Sequence, residues 1–297
     1  MTLFAGTLLF VSLFAAQAAA VKRTKSDRDI TAIGRRDIIH GTERKFFTSA
    51  ETEKERQLGA QYFVAVGHSA KLIIDREITN YLSELAEKIG HNSDTHVPIS
   101  VVVLDNNTVS ACTSPGGYQY ITRGLLLHAE SEGELASVLA HGVAQTALHV
   151  PTRQQWRQTL MNLFASTRST IPVFSCTPLP SLLALTSGLL PTDEFDADYF
   201  GVQYLYKSGY DPECYLRFVQ QTWPVGSRPK NVAFSWFPPT LERLKTLRRE
   251  IADILPPQTQ SIVSTSAFEE FQLHLRNLPP LPPEPDQPVL RRPTSEQ

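Results

Sequence analysis

Cysteine is scarce in this chain: three in 297 residues, at positions 112, 176 and 214, with no Cys-x-x-Cys pair. That count excludes a disulfide framework and a thiolate-built metal ribbon. At most one disulfide can form, and each cysteine reads as a small buried hydrophobe. A surplus of either charge is missing too. Lys and Arg number 28 against 30 Asp and Glu, a formal net charge of −2, so no broad basic face awaits nucleic acid. No Gly-x-Ser-x-Gly elbow and no Gly-rich loop leading into a helix occur, which removes the elbow-type hydrolases and the phosphate-loop enzymes. Past residue 20, no uninterrupted apolar run reaches the ~20 residues that a membrane-spanning helix needs.

What is present begins with a leader. MTLFAGTLLFVSLFAAQAAA carries no charged side chain and ends in small residues of the Ala-x-Ala kind, the pattern of an export signal over residues 1–20. Export implies a periplasmic or extracellular location. The leader has no Lys or Arg ahead of its apolar run, so an uncleaved membrane anchor is the alternative. Residues 21–46 are polar and read as a linker, 47–277 as a single domain, and 278–297 as a Pro-rich tail without fixed structure.

Within the domain, Thr48 and Glu51 form a capping box that opens a helix to about residue 69. Ile78, Tyr81, Leu82, Leu85 and Ile89 repeat at helical spacing, with Gly90 as a stop. Ile99, Val101 and Val103 alternate as a strand; Ser114-Pro-Gly-Gly117 is a turn, and Tyr118–Thr122 its returning strand. Ser131 and Glu134 cap a helix over 132–149, closed by Pro151, and another helix is expected near 153–166. Thr192 caps a helix running to Lys207. Further helices open at Asp211-Pro212, at Thr240, and at Ser266 with Glu269. The sum is a helix-rich α+β fold with a small sheet.

The chemistry lies in LASVLAHGVAQTALHV, residues 135–150. A zinc-peptidase helix carries His-Glu-x-x-His, because residues i and i+4 share a face and two imidazoles can grip one ion there. The intervening Glu takes the proton of the metal-bound water. Here the same five positions read His141-Gly-Val-Ala-Gln145. Downstream, Glu194 and Asp198 stand four apart, hence on one helical face. Each feature alone has a plain reading: a satisfied core histidine, and acids on a solvated helix start.

Four blocks in order tip that balance: SPGGYQYITRGLL (114–126), SEGELASVLAHGVAQ (131–145), EFDADYFGVQYLYKSGYDP (194–212) and FSWFPPTLERL (234–244). Together they resemble the HtpX/CAAX-prenyl-protease family of zinc metallopeptidases, in its exported, periplasmic chaperone-protease branch. The resemblance spans about residues 48–255 and implies a zincin-like domain built around an active-site-type helix. It makes His141 the first metal ligand, Gln145 the residue in place of the second, Glu194 the third, and Asp198 the acid that orients a ligand. Gly142 stands where the general base belongs, and Phe237 where a functional His commonly occurs.

Loss of a general base typically costs ~10²–10⁴-fold in rate, and an amide is a poor zinc ligand. His149 lies two turns beyond His141, ~12 Å along the axis, too far to share an ion. The expectation is a degenerate site with no high-affinity cofactor, although the family uses zinc, and a proteolytically inactive chain. Its partners would be unfolded or extended envelope polypeptides, paired along Tyr118, Gln119, Tyr120 and Ile121; membrane association is compatible with this. The alternatives are a residual metalloendopeptidase using His141, Gln145 and Glu194, and an unrelated secreted helical domain.

Overall fold

The computed structural model describes residues 23–39, 49–155, 191–222 and 241–279. The leader, most of the helix expected near 153–166, Phe237, Cys176 and the tail from residue 280 lie outside them. In chain order the helices are α1 (Lys25–Arg28), α2 (Ser49–Ser69), α3 (Arg76–His91), α4 (Arg123–His128), α5 (Glu132–Ala147), α6 (Pro191–Lys207), α7 (Glu213–Thr222), α8 (Leu241–Ile254) and α9 (Ser266–Asn277). The strands are β1 (Ser100–Leu104), β2 (Ala111–Ser114) and β3 (Tyr118–Thr122). Helices with one small mixed sheet bear out the α+β, helix-rich expectation.

Helix α5 is the spine. Ser131 caps it, its Oγ accepting from Glu134 N at 3.3 Å. Every residue of the helix is buried except His141 and Gln145, the pair that the 3.6-residue turn places together. A helix apolar nearly all round must be surrounded. Helix α6 packs along it, and Gly201 sets how closely: a Cβ there would fall 3.2 Å from His141 Cα and 3.3 Å from Ala140 O.

The sheet departs from expectation. Its order is β1-β3-β2, with β1 parallel and β2 antiparallel to β3. The hairpin partner of β3 is therefore β2, four residues too short to show alternation, while β1 pairs after a crossover. Gly116 and Gly117, at φ 77° and 82°, make the turn, and a Cβ on Gly117 would sit 2.3 Å from Pro98 O.

This corrects the assignment of Tyr118, Gln119, Tyr120 and Ile121 as a peptide-pairing edge. A central strand has both backbone edges committed, and Gln119, Tyr120 and Ile121 are buried as well. Tyr118 stacks instead on Phe63 of α2, ring centroids 5.7 Å apart.

Smaller departures have local causes. Gly90 does not stop α3, which runs to His91 with Asn92 as C-cap. The cap of α9 is Thr265 rather than Ser266, accepting from Phe268 N at 3.2 Å. Cys112 is disulfide-bonded rather than a free hydrophobe, whereas Cys214 is a buried free thiol.

Residues 23–39 are not a linker. Arg36 is buried and donates to Asp94 Oδ2 from Nη2 at 2.6 Å and from Nε at 3.0 Å. Its Nη1 donates to Gln203 Oε1 at 2.7 Å and to the Asp27 carbonyl at 2.8 Å. Tyr204 of α6 closes the cluster by donating to Asp94 Oδ2 at 2.9 Å. The arm thus staples the loop after α3 to the helix that carries the two acids. Arg36→Met, by stranding Asp94, is expected to lower unfolding free energy by about 3–5 kcal/mol. Urea denaturation measures it, and a loss under about 1 kcal/mol would show that the arm is not part of the folded unit.

Candidate functional site

Helices α5, α6, α7 and α8 converge on His141. Its Nδ1 lies 3.1 Å from Asp198 Oδ1 and 2.7 Å from the Tyr215 hydroxyl, which itself donates to Asp198 Oδ1 at 2.8 Å. On the other side of the ring, Nε2 is 3.5 Å from Glu194 Oε2. Arg243 of α8 grips both acids: Nε donates to Asp198 Oδ2, Nη2 to Asp198 Oδ1 at 2.8 Å, and Nη2 lies 3.3 Å from Glu194 Oε2. Gln145 adds a hydrogen bond from Nε2 to Glu194 Oε1 at 3.2 Å.

The electrostatics follow from two cations and two anions taken out of water together. For His141, burial works against the charged ring, but the hydrogen bond to Asp198 and the adjacent carboxylates of Asp198 and Glu194 outweigh it and hold the imidazolium up to about 9. Burial also works against the Asp198 carboxylate, yet the Arg243 charge and the bonds from Arg243 and His141 keep it well below the usual range. Glu194 is lowered in the same way, burial being overcome by His141 and Arg243. The two formal positives balance the two negatives.

The structure brings His141, Gln145, Glu194 and Asp198 together. Gly142 sits on α5 facing β3, its neighbour being the Gln119 side chain. Phe237 is outside the described residues. Sequence reading missed Tyr215 and Arg243. Arg243 falls inside the fourth quoted block, and that place was the available signal. Tyr215 offered none, since one tyrosine in an amphipathic helix looks like core.

The donor set is a poor match to zinc. A single imidazole nitrogen and one carboxylate oxygen face each other; the third side chain is an amide already donating to that carboxylate. Glu194 Oε2 accepts no hydrogen bond, which would suit a cation. Arg243, however, already brings a positive charge to within 3.3 Å of it. Among the described residues no group of three or more His, Cys, Asp or Glu could hold a metal.

Residues 74–251 match the pattern of Peptidase family M48. The beta-barrel assembly-enhancing protease of Escherichia coli (strain K12) is 26% identical over 224 residues, 70% of this chain and 46% of that protein. The putative beta-barrel assembly-enhancing protease of Vibrio cholerae serotype O1 is 26% identical over 223 residues, 69% of this chain and 45% of that protein. The mitochondrial metalloendopeptidase OMA1 of Arabidopsis thaliana is 28% identical over 154 residues, 50% of this chain and 30% of that protein. The matched region thus spans less than half the length of each of these relatives.

The charge balance has a pH signature. His141 binds its proton more tightly folded, at about 9, than at its ordinary 6.5. Its stabilisation is complete below about 6.5 and lost as pH rises through about 9. Glu250 of α8, pushed up to about 8 by burial, loses stability in the same direction. The acids Asp198 and Glu194, being lowered, act oppositely and lose their contribution only in acid. In metal-free protein an NMR titration of the His141 ring is expected to show a midpoint near 9. Urea midpoints should fall from pH 6.5 to 9.5, and less steeply in Glu250→Gln. A ring midpoint at or below 6.5 would contradict the network.

Proposed function

Given that the chain belongs to Peptidase family M48, we propose that it is a member whose metallopeptidase chemistry has been lost and whose cleft binds extended polypeptide without cutting it. The family normally uses zinc. The observation that carries the proposal is Arg243. Together with His141 it supplies the positive charge that Glu194 and Asp198 need, and so does the electrostatic work of an ion. Gly142 leaves no side chain to take a proton from water, and Gln145 no second imidazole. In this reading the chain belongs with the HtpX/CAAX-prenyl-protease group, in its exported branch. Its clients are envelope polypeptides, in keeping with relatives named for assembling beta-barrels.

Polypeptide binding is placed on β2 instead of β3. Among the described residues, strand β2 is an edge of the sheet and packs beside α5. Thr122 N donates to Ser110 O at 3.0 Å, so alternation turns the N–H groups of Ala111 and Thr113 away from β3. An extended chain laid along that edge gains backbone hydrogen bonds independent of its sequence. No helix of the described residues is long and apolar enough to cross a membrane.

A residual metalloendopeptidase is the second reading, favoured by His141 Nε2 and the hydrogen-bond-free Glu194 Oε2 facing each other at 3.5 Å. Metal analysis joined to casein digestion separates the two. The purified chain is expected to hold well under one equivalent of zinc and to leave casein intact, with or without chelator. Stoichiometric zinc and chelator-sensitive cleavage would favour the second reading.

The edge is tested with Thr113→Pro, which removes an outward donor while sparing the ladder to β3. Capture of a reduced, unfolded polypeptide is expected to weaken at least several-fold with the thermal midpoint unchanged. Equal capture would remove β2 from the account.

A further inference from the structure

The base position invites the view that Gly142 leaves a hole. The geometry differs. A Cβ on Gly142 would fall 2.7, 2.8 and 2.9 Å from Cδ, Nε2 and Oε1 of Gln119. Those atoms are the whole carboxamide head, and they lie where any side chain at 142 must begin. Real Cβ atoms do not approach so closely.

Gln119 is also held there. It sits on the central strand, between Val101 of β1 and Thr113 of β2 in register. It is 3% exposed, and its Nε2 donates to the Leu139 carbonyl of α5 at 3.3 Å. Moving the head aside would break that bond and leave a buried amide searching for partners. A flexible side-chain end in open solvent would yield cheaply; this one is enclosed by its own sheet and by the site helix.

We infer that the Gln119 carboxamide has taken over the general-base position, so that Gly142 and Gln119 form one interlocked unit and the site is filled. This deepens the reading of a site without chemistry. It makes Gln119 the residue that dictates what position 142 can hold. Any side chain returned to 142, a glutamate included, meets the amide first, so the base cannot be regained by one substitution. The unit also ties the sheet to α5 one residue from His141, which makes Gln119 a positioning residue for the helix.

A double-mutant cycle tests the coupling in the metal-free full chain. Gly142→Ala in the native background is expected to lower the thermal midpoint. In a Gln119→Ala background the same change should raise it by about 2–4 °C, since alanine is then free to express its helix preference over glycine. The sign reversal is the signature of the interlock. An equal effect of Gly142→Ala in both backgrounds would overturn it.

Should Gly142→Ala fail to fold, the unmodified protein still decides. The Gln119 side-chain amide protons, followed by NMR, are expected to exchange much more slowly with solvent than those of an exposed glutamine. Exchange at the exposed rate would overturn the proposal. Zinc found in the native chain would sink the functional reading without touching either result.

Discussion

Two carboxylates buried side by side on one helix, Glu194 and Asp198, are the constraint from which the rest of the site follows. Neither can be taken out of water alone, and together they repel, so folding must bring positive charge to them. A metallopeptidase answers with an ion. This chain answers with Arg243 from α8 and a protonated His141 from α5, and with the Tyr215 hydroxyl from α7 as a further donor. Four helices are thereby fixed to one another at a point. An arrangement that is satisfied by its own side chains has little to gain from a cation, and that is the physical content of the proposal.

The surrounding fold is what makes the arrangement available. Gly201 lets the backbones of α5 and α6 approach until His141 meets both acids. Arg36, from a segment that reads as polar linker, anchors α6 from behind through Gln203 and Tyr204 by way of Asp94. On the sheet side the glutamine at 119 and the glycine at 142 exchange volume across the helix–strand contact. These contacts hold the helices and the small sheet of the M48 domain around the site.

Legibility in the sequence followed how local each signal was. The body of α5 is readable because Ser131 and Glu134 mark its start and apolar residues dominate up to the i, i+4 pair His141 and Gln145. The meeting of His141 with Glu194 and Asp198, across some fifty residues, was legible only through the resemblance of four ordered blocks. The strand order was not: β2 is too short for its alternation to show, and no local pattern distinguishes a parallel neighbour from a hairpin partner. Arg36, Tyr215 and the packing of Gln119 against Gly142 stayed hidden for a related reason. A buried polar side chain is justified by partners distant in the chain, and composition and periodicity are blind to these.

The most direct trial of charge closure is the thermal midpoint of the chelator-treated protein at pH 7 as zinc is added. A ligand that binds the native state raises the midpoint as its concentration passes the dissociation constant. Closure by Arg243 and His141 predicts no saturable rise through micromolar zinc. A rise that saturates at one equivalent, and vanishes in Glu194→Gln, would show that the acids still await a metal.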